Sequence, residues 1–356
     1  MSKAGSSPTQ KDVAKALGMA QSTVSMALRG DASIMPPTRE KVRRVAAEMG
    51  YHPNPSGAAL AHLRQASKVR PVKASLAWLN AWPDPGKLRR YREFDCYWEG
   101  ASRAALEAGY RLDEFLVNDD LPLRKLGKIL QARNVNGILV PPGPLPPGWE
   151  DFGWSDYSLV QLRIRRLGQD DLPGFSVSSD QAGNAMMAAQ VMRGKGYRRV
   201  GFVGINCQAR LFGAGYLWSQ QEVNPRERLN PLLLREGESP EVHLRSLERW
   251  MGAQCPDAIL TDFPRVPDML AQLGFRVPEH VGLAALGILD CPIDAGIHQN
   301  PCEVGRVGVQ QLVSLINGNV RGLPAIGQGV LVKGTWKDGS SLPRRQVHPW
   351  LAEGGE

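Results

Sequence analysis

Cysteine is scarce in this chain, with five among 356 residues, at positions 96, 207, 255, 291 and 302, and no C-x-x-C pair. That excludes a disulfide framework and offers no zinc-type spacing, so reduced structural thiols are expected. Histidine is almost as sparse. The six, at 52, 62, 243, 280, 298 and 348, include no pair at the i, i+4 spacing that sets two ligands on one helix face. Long apolar runs are missing too. No stretch reaches the roughly 18 apolar residues a membrane span needs, and the opening MSKAGSSPTQ holds no apolar leader segment. A cytoplasmic protein is the expectation. Nor does the chain carry G-x-x-x-x-G-K-[ST], H-E-x-x-H or G-x-S-x-G. GAGYLWSQ at 213–220 lacks the third glycine and the preceding strand of a dinucleotide loop, and nothing sets a base beside a nucleophile around Asp290, Cys291 and His298. No enzyme, cofactor or metal is expected. What the chain does have is apolar material, 42% hydrophobic residues, enough for more than one core at this length.

Positive charge is present in excess, and it is concentrated. The formal net charge is +8, and residues 1–70 contribute 11 Lys+Arg against 4 Asp+Glu, while the remainder holds 32 against 31. A basic N-terminal module on a nearly neutral body points to a polyanion partner for the small part and a different task for the large one.

The basic module is patterned. In TQKDVAKALG, Thr9 suits an N-cap with Asp12 as its reciprocal acid, Val13, Ala14 and Leu17 share a face, and Gly18 stops the helix. After Gly18-Met19-Ala20, QSTVSMALRG sets Val24, Ala27 and Leu28 on one face. PPTREKVRRVAAEMGYHP opens with prolines suited to a helix start and repeats apolar residues at 42, 45, 46 and 49. Three short helices, the first two joined by a glycine-containing turn, describe a helix-turn-helix whose second helix enters a major groove.

The segment TQKDVAKALGMAQSTVSMALRG resembles the opening of the LacI/GalR family of bacterial transcription regulators, T-x-x-D-V-A-x-x-A-G-V-S-x-x-T-V-S-x-x-L-N. Thr38–Val42 and Met49–Asn54 resemble that family's T-R-E-K-V and its L-G-Y-x-P-N exit. The resemblance implies base-edge contacts from Gln21, Ser22 and Met26. It implies phosphate contacts from Thr9, Gln10, Thr23, Ser25 and Arg29. Three positions depart from the pattern. Ala20 replaces a capping Ser, which removes a cap worth about 1 kcal/mol. Met26 stands where Arg is frequent, so an apolar contact to a thymine methyl replaces a guanine contact and the operator should differ. Met35 replaces a capping Ser, with Pro36 and Pro37 pre-setting the helix instead.

Following Asn54, PSGAALAHLRQASK allows one short helix from about Ser56 to Leu63, too short to be stable alone in water. The resemblance implies that two such helices fold together in the minor groove and insert Leu60, with Gly57 and Ala61 as close-approach neighbours.

From residue 72 onward short apolar runs alternate with helical segments. ASLAWL, RLDEFLV, NGILVPP, YSLVQL, RRVGFVG, DAILTD and GLAAL read as buried strands of a parallel sheet, and CYWEGASRAALEAG, LRKLGKILQAR, AGNAMMAAQVMRGKG and VPDMLAQLG read as helices. This is an α/β, doubly wound pattern, and its length calls for two lobes with a ligand cleft at the strand carboxyl ends. SSDQAGNAMMAAQVMRGKGYRRVGFVG, PDAILTD and LGFRVPEHVGLAAL resemble further family segments. The whole chain is therefore expected to be an all-α helix-turn-helix head (1–52), a hinge helix and linker (53–69), a two-lobed parallel-sheet effector-binding and dimerisation domain resembling periplasmic binding proteins (70–342), and a flexible tail (343–356).

For the effector the resemblance implies Arg210, Asp262 and Gln299 as cleft residues. Arg163 stands where sugar-binding members have an acid. Trp82, Tyr91, Phe94, Tyr97 and Trp98 cluster after the first strand, where Trp82 and Trp98 could stack on a sugar face or the group could pack a dimer interface. The expected function is a sequence-specific DNA-binding repressor, dimeric and nucleoid-associated when bound, whose operator affinity responds to a sugar or sugar derivative. Two alternatives stand beside it, a sugar-type binding protein without ligand-controlled DNA binding and an α/β enzyme with a DNA-binding head. SLPRRQVHPWLAEGGE has no leucine heptads, so a tetramer built by a C-terminal coiled coil is not expected.

Overall fold

The computed structural model of the chain describes residues 8–28, 33–51, 74–118, 121–145, 148–163, 172–205 and 210–345. Arg29 and the hinge positions Gly57, Leu60 and Ala61 lie outside them. The head is three helices, α1 (Gln10–Leu17), α2 (Gln21–Leu28) and α3 (Pro36–Glu48). They close over a small core of Val13, Ala14, Val24, Ala27, Val42 and Ala46. Gly18, at φ 63°, ends α1, and its amide donates to the Ala14 and Lys15 carbonyls. A left-handed C-cap of this kind suits glycine and turns the chain sharply into α2.

The body holds two six-stranded sheets. The first is built from β1 (Ala74–Asn80), β2 (Tyr110–Leu116), β3 (Gly137–Val140), β4 (Ser158–Gln161), β5 (Phe175–Ser179) and β11 (Gln328–Val332), in the order β11-β5-β4-β3-β1-β2, with every pairing parallel. The second is built from β6 (Val200–Ile205), β7 (Leu232–Leu234), β8 (Ala258–Thr261), β9 (Gly282–Ala285), β10 (Gly296–His298) and β12 (Thr335–Lys337), in the order β12-β10-β9-β8-β6-β7. Here β12 is antiparallel to β10, a departure from an all-parallel sheet. It arises because β12 enters directly from β11 of the other lobe without a crossover helix.

Both sheets are covered on both faces. On the first, α4 (Arg92–Ala108) and α10 (Pro301–Asn317) pack with Leu76, Trp78, Leu139 and Val160 on one side. α5 (Leu123–Ala132) packs with Ala77, Ile138 and Leu159 on the other. On the second, α6 (Gln181–Gly194) and α7 (Arg210–Ser219) share a core with Phe202 and Leu260, while α8 (Pro240–Gln254) and α9 (Val266–Gln272) cover the side of Val203 and Ile259. Each fully buried Val, Leu, Ile or Phe among these contributes roughly 1.5–3 kcal/mol relative to exposure. The doubly wound, two-lobed fold expected from the strand–helix alternation is what is observed.

The chain crosses between lobes three times, from β5 into α6, from β10 into α10 and from β11 into β12. Two side-chain amides, buried Asn184 and partly exposed Asn300, tie the crossings together. Asn184 donates to Ser179 Oγ (2.9 Å) and accepts from the Gly334 amide (2.8 Å), and Asn300 donates to the Lys333 carbonyl (2.8 Å).

Four details differ from the sequence expectation. β2 was expected to be buried but is an edge strand with only Leu112 and Phe115 buried, because only one neighbour, β1, pairs with it. β5, β7, β10, β11 and β12 and the helices α7, α8 and α10 have no counterpart in the expected list. The strands among them are short, as LLL in β7, or partly polar, as FSVSS in β5, rather than long apolar runs. The aromatic segment after β1 begins its helix at Arg92 rather than at Cys96, since Asp290 caps it from the other lobe. Pro343 to Arg345, expected in a flexible tail, are docked. Tyr197 Oη donates to the Pro343 carbonyl at 2.9 Å, and Arg345 lies over the Tyr197 ring and 3.3 Å from Asp257.

Candidate functional site

In the head, the Thr9 hydroxyl donates to Asp12 Oδ2 (2.6 Å) and accepts from the Asp12 amide (3.4 Å), while Asp12 accepts from the Thr9 amide (2.8 Å). These hydrogen bonds hold the Asp12 carboxyl below the usual carboxylate range. The expected capping box is therefore formed, and it engages the same hydroxyl assigned to phosphate contact. Gln10 follows at the first helical position. The second helix turns Val24 and Ala27 into the core and leaves Gln21 and Ser22 exposed on its first turn, with Thr23, Ser25 and Met26 partly exposed. Its start has no side-chain cap. The Ala20 carbonyl simply accepts from the Val24 amide at 3.1 Å. One face of α2 is thus polar and accessible, and the other is locked into the head.

In the body, the ends of β1, β3 and β4 bring one group together. Buried Asn80 holds the loop after β1 by donating to Pro85 O and Glu114 Oε1 (both 3.1 Å) and accepting from the Trp82 amide (3.0 Å). The Trp82 indole donates to the Pro142 carbonyl (2.9 Å), and Arg163 donates to the Gly143 carbonyl (2.9 Å). Gly143 sits at φ 145°, and a side chain there would run into the Trp82 indole. Trp82 and Arg163 are therefore neighbours through the strand-end loops. Trp98 is elsewhere. It packs edge-on to Trp78 at 5.4 Å with the Arg89 guanidinium 4.1 Å from its ring centre, so that face is already covered.

The other lobe supplies acids. Asp262 follows β8, anchored by Thr261, whose hydroxyl donates to Val203 O (2.7 Å) and accepts from the Phe263 amide (2.9 Å). Burial pushes the Asp262 carboxyl up to about 7 despite backbone hydrogen bonds, and its Oδ1 has no partner among the described residues. Gln299 is buried. Its amide nitrogen and the Glu93 carboxylate both approach Gly287, at 3.0 and 3.6 Å from where a Cβ would stand. Glu93 belongs to α4 of the first lobe, so the lobes meet here. Burial, and then the neighbouring Asp290, push its carboxyl up to about 7. Asp290 in turn accepts from the Arg92 and Glu93 amides (2.7 and 2.9 Å), capping a helix of the opposite lobe. Arg210 is exposed at the first position of α7.

Sequence reasoning did not single out Glu93 or assign the cap to Asp290. Nothing in their local spacing marks them, because the pair exists only once the lobes pack. Two further hollows lie beside β5 and β11 of the first sheet. One of about 230 Å³ is lined by Ser178, Asp180, Leu211 and Leu331, and one of about 200 Å³ by Gln161, Arg163, Leu172 and Gln328. Of the expected effector residues, Arg163 alone lines either.

Residues 9–54 match the family model described as "Bacterial regulatory proteins, lacI family". In sequence the chain is 26% identical over 200 residues to the HTH-type transcriptional regulator MalR of Streptococcus pneumoniae serotype 4 (strain ATCC BAA-334 / TIGR4), covering 55% of this chain and 56% of that protein. It thus spans little more than half the length of the curated relatives it matches. The fold is shared with the transcriptional regulator CelR–cellobiose complex, at TM-score 0.56 and 20% identity, covering 94% of this chain and 99% of the other. It is shared as well with the lac repressor dimer bound to operator and the anti-inducer ONPF, at TM-score 0.52 and 18% identity, covering 95% and 100%. Residues 9–54 therefore form a head of the lacI family, joined to a body whose fold these regulators share.

Proposed function

We propose that this regulator binds a pseudo-palindromic operator as a homodimer and represses transcription, and that a sugar or sugar derivative between the lobes changes its operator affinity. The observation that carries the reading is the pairing of two surfaces in one chain. One is an exposed α2 face bearing Gln21 and Ser22 on a basic head. The other is an interlobe site where Glu93, Gln299 and Asp290 converge at strand and helix ends. Gln pairs bidentately with adenine, Ser accepts several bases, and Met26 suits a thymine methyl. Arg29 would add a phosphate contact, and paired hinge segments carrying Gly57, Leu60 and Ala61 would enter the minor groove.

In the cleft, Asp262 and Gln299 offer hydrogen bonds to hydroxyls, Trp82 an apolar ring edge, and Arg163 and Arg210 cations for an acidic substituent. The cellobiose of the CelR complex supports a carbohydrate as the ligand class. A ligand bridging the lobes shifts their mutual angle through its differential affinity for the two arrangements, and the hinge transmits that shift to the heads. A thermal-shift panel of neutral sugars, sugar phosphates and nucleobases tests the ligand class. A carbohydrate should raise the body's Tm by mass action, with the rise reduced in Asp262→Asn and Arg163→Ala. A response to nucleobases alone would overturn it.

A further inference from the structure

Within the first lobe, α4 and α10 cross with backbone against backbone. A Cβ on Gly100 would overlap the Cys302 carbonyl, and one on Gly305 would overlap the Tyr97 carbonyl. This close approach brings Cys96 and Glu99, three apart and so on one face of α4, to Cys302 in the first turn of α10. One ligand atom from each, two sulfurs and a carboxylate oxygen, lies within 4.8 Å of the others. We propose that Cys96, Glu99 and Cys302 form a binding site for one thiophilic divalent cation of the zinc class, with the fourth coordination position left to water or a small exogenous ligand.

The surroundings suit that charge. Two thiolates and a carboxylate around a divalent cation leave one negative charge, and Arg92 supplies the compensating positive one. Its guanidinium donates to both Glu99 oxygens, at 2.8 and 3.2 Å, which orients the carboxylate as an outer-shell partner does in metal sites. Packing alone would not call for a carboxylate held in this way beside two thiols. The Cys302 thiol points to Glu99 Oε2 at 3.9 Å, so its proton occupies the space the cation would take. Cys96 is buried whereas Cys302 and Glu99 are partly exposed, which leaves an approach from solvent.

Binding is a displacement. Each thiol releases its proton to water as its sulfur–metal bond forms, so one cation frees two protons and no electron moves. Because two protons leave for each cation bound, affinity should rise steeply with pH. Arg92, which holds Glu99, is also the residue whose amide Asp290 caps from the other lobe. The cation site therefore abuts the interlobe contact.

The test is a titration of the full-length, reduced protein with Zn²⁺ against a chromophoric chelator, repeated with Co²⁺ to read thiolate-to-metal charge-transfer absorption. One Zn²⁺ per chain with two protons released is expected. Binding should be lost in Cys302→Ser and at least about tenfold weaker in Glu99→Gln, both with unchanged melting curves without metal, and unaltered in Cys255→Ser, whose thiol lies exposed in the other lobe. Absence of stoichiometric binding, or binding that survives Cys302→Ser unchanged, would overturn the assignment.

Discussion

Two carboxyls, Glu93 and Asp262, are held by burial at about 7, well above their ordinary values. A carboxyl whose folded-state value is raised favours the protonated form in the native state. Its stabilisation is complete below the unfolded value and fades as pH rises through about 7. Between about pH 5 and about pH 8 the wild-type body should therefore lose more Tm than Glu93→Gln or Asp262→Asn does. Scanning calorimetry of the three proteins at both pH values decides this, and equal losses would remove the carboxyls from the account. On α2, the residue that most distinguishes this head is Met26, which stands partly exposed beside Ser22 on the accessible face. Met26→Arg should shift operator preference toward guanine at the contacted position, by about 1–3 kcal/mol of discrimination. Selection of binding sites from a random pool reads the shift, and an unchanged consensus would show that Met26 does not face a base.

At the scale of elements, the α4–α10 crossing is the most demanding contact of the first lobe. Gly305 lies against the Tyr97 carbonyl and the Ala101 amide. Gly305→Ala must part the helices, and a cost of about 1–3 kcal/mol is expected, read as a lower denaturation midpoint of the body. An unchanged midpoint would mean the helices yield without loss. Elements were legible in the sequence where a local rule decided them. Thr9, Asp12 and Gly18 bounded α1, and the apolar runs ASLAWL and DAILTD became β1 and β8, because cap chemistry and continuous burial are written in neighbouring residues. β5 and β11 were not legible. They are partly polar strands that pair with each other only because the chain returns from the second lobe. The same holds for the site. Asp262 and Gln299 were nominated through a family pattern, whereas Glu93 and the Asp290 cap depend on two segments about two hundred residues apart meeting across the lobes.

For the whole molecule, the separation of a basic head from a nearly neutral body sets what each part contributes. In the proposed mode the phosphate contacts come from the head, so the salt dependence of DNA binding should reflect those contacts and not the total charge of +8. The body's lobes are tied by Asn184 and Asn300 at the crossings and by Asp290 at the cleft, and the proposed ligand would act by shifting their mutual angle. Operator affinity of the full-length protein, measured across a salt series with and without a carbohydrate that raises the body's Tm, examines both parts at once. The account predicts a Kd that weakens steeply with salt and changes by about 5-fold or more on adding that ligand. A Kd that is the same with and without it would contradict the coupling between cleft and head.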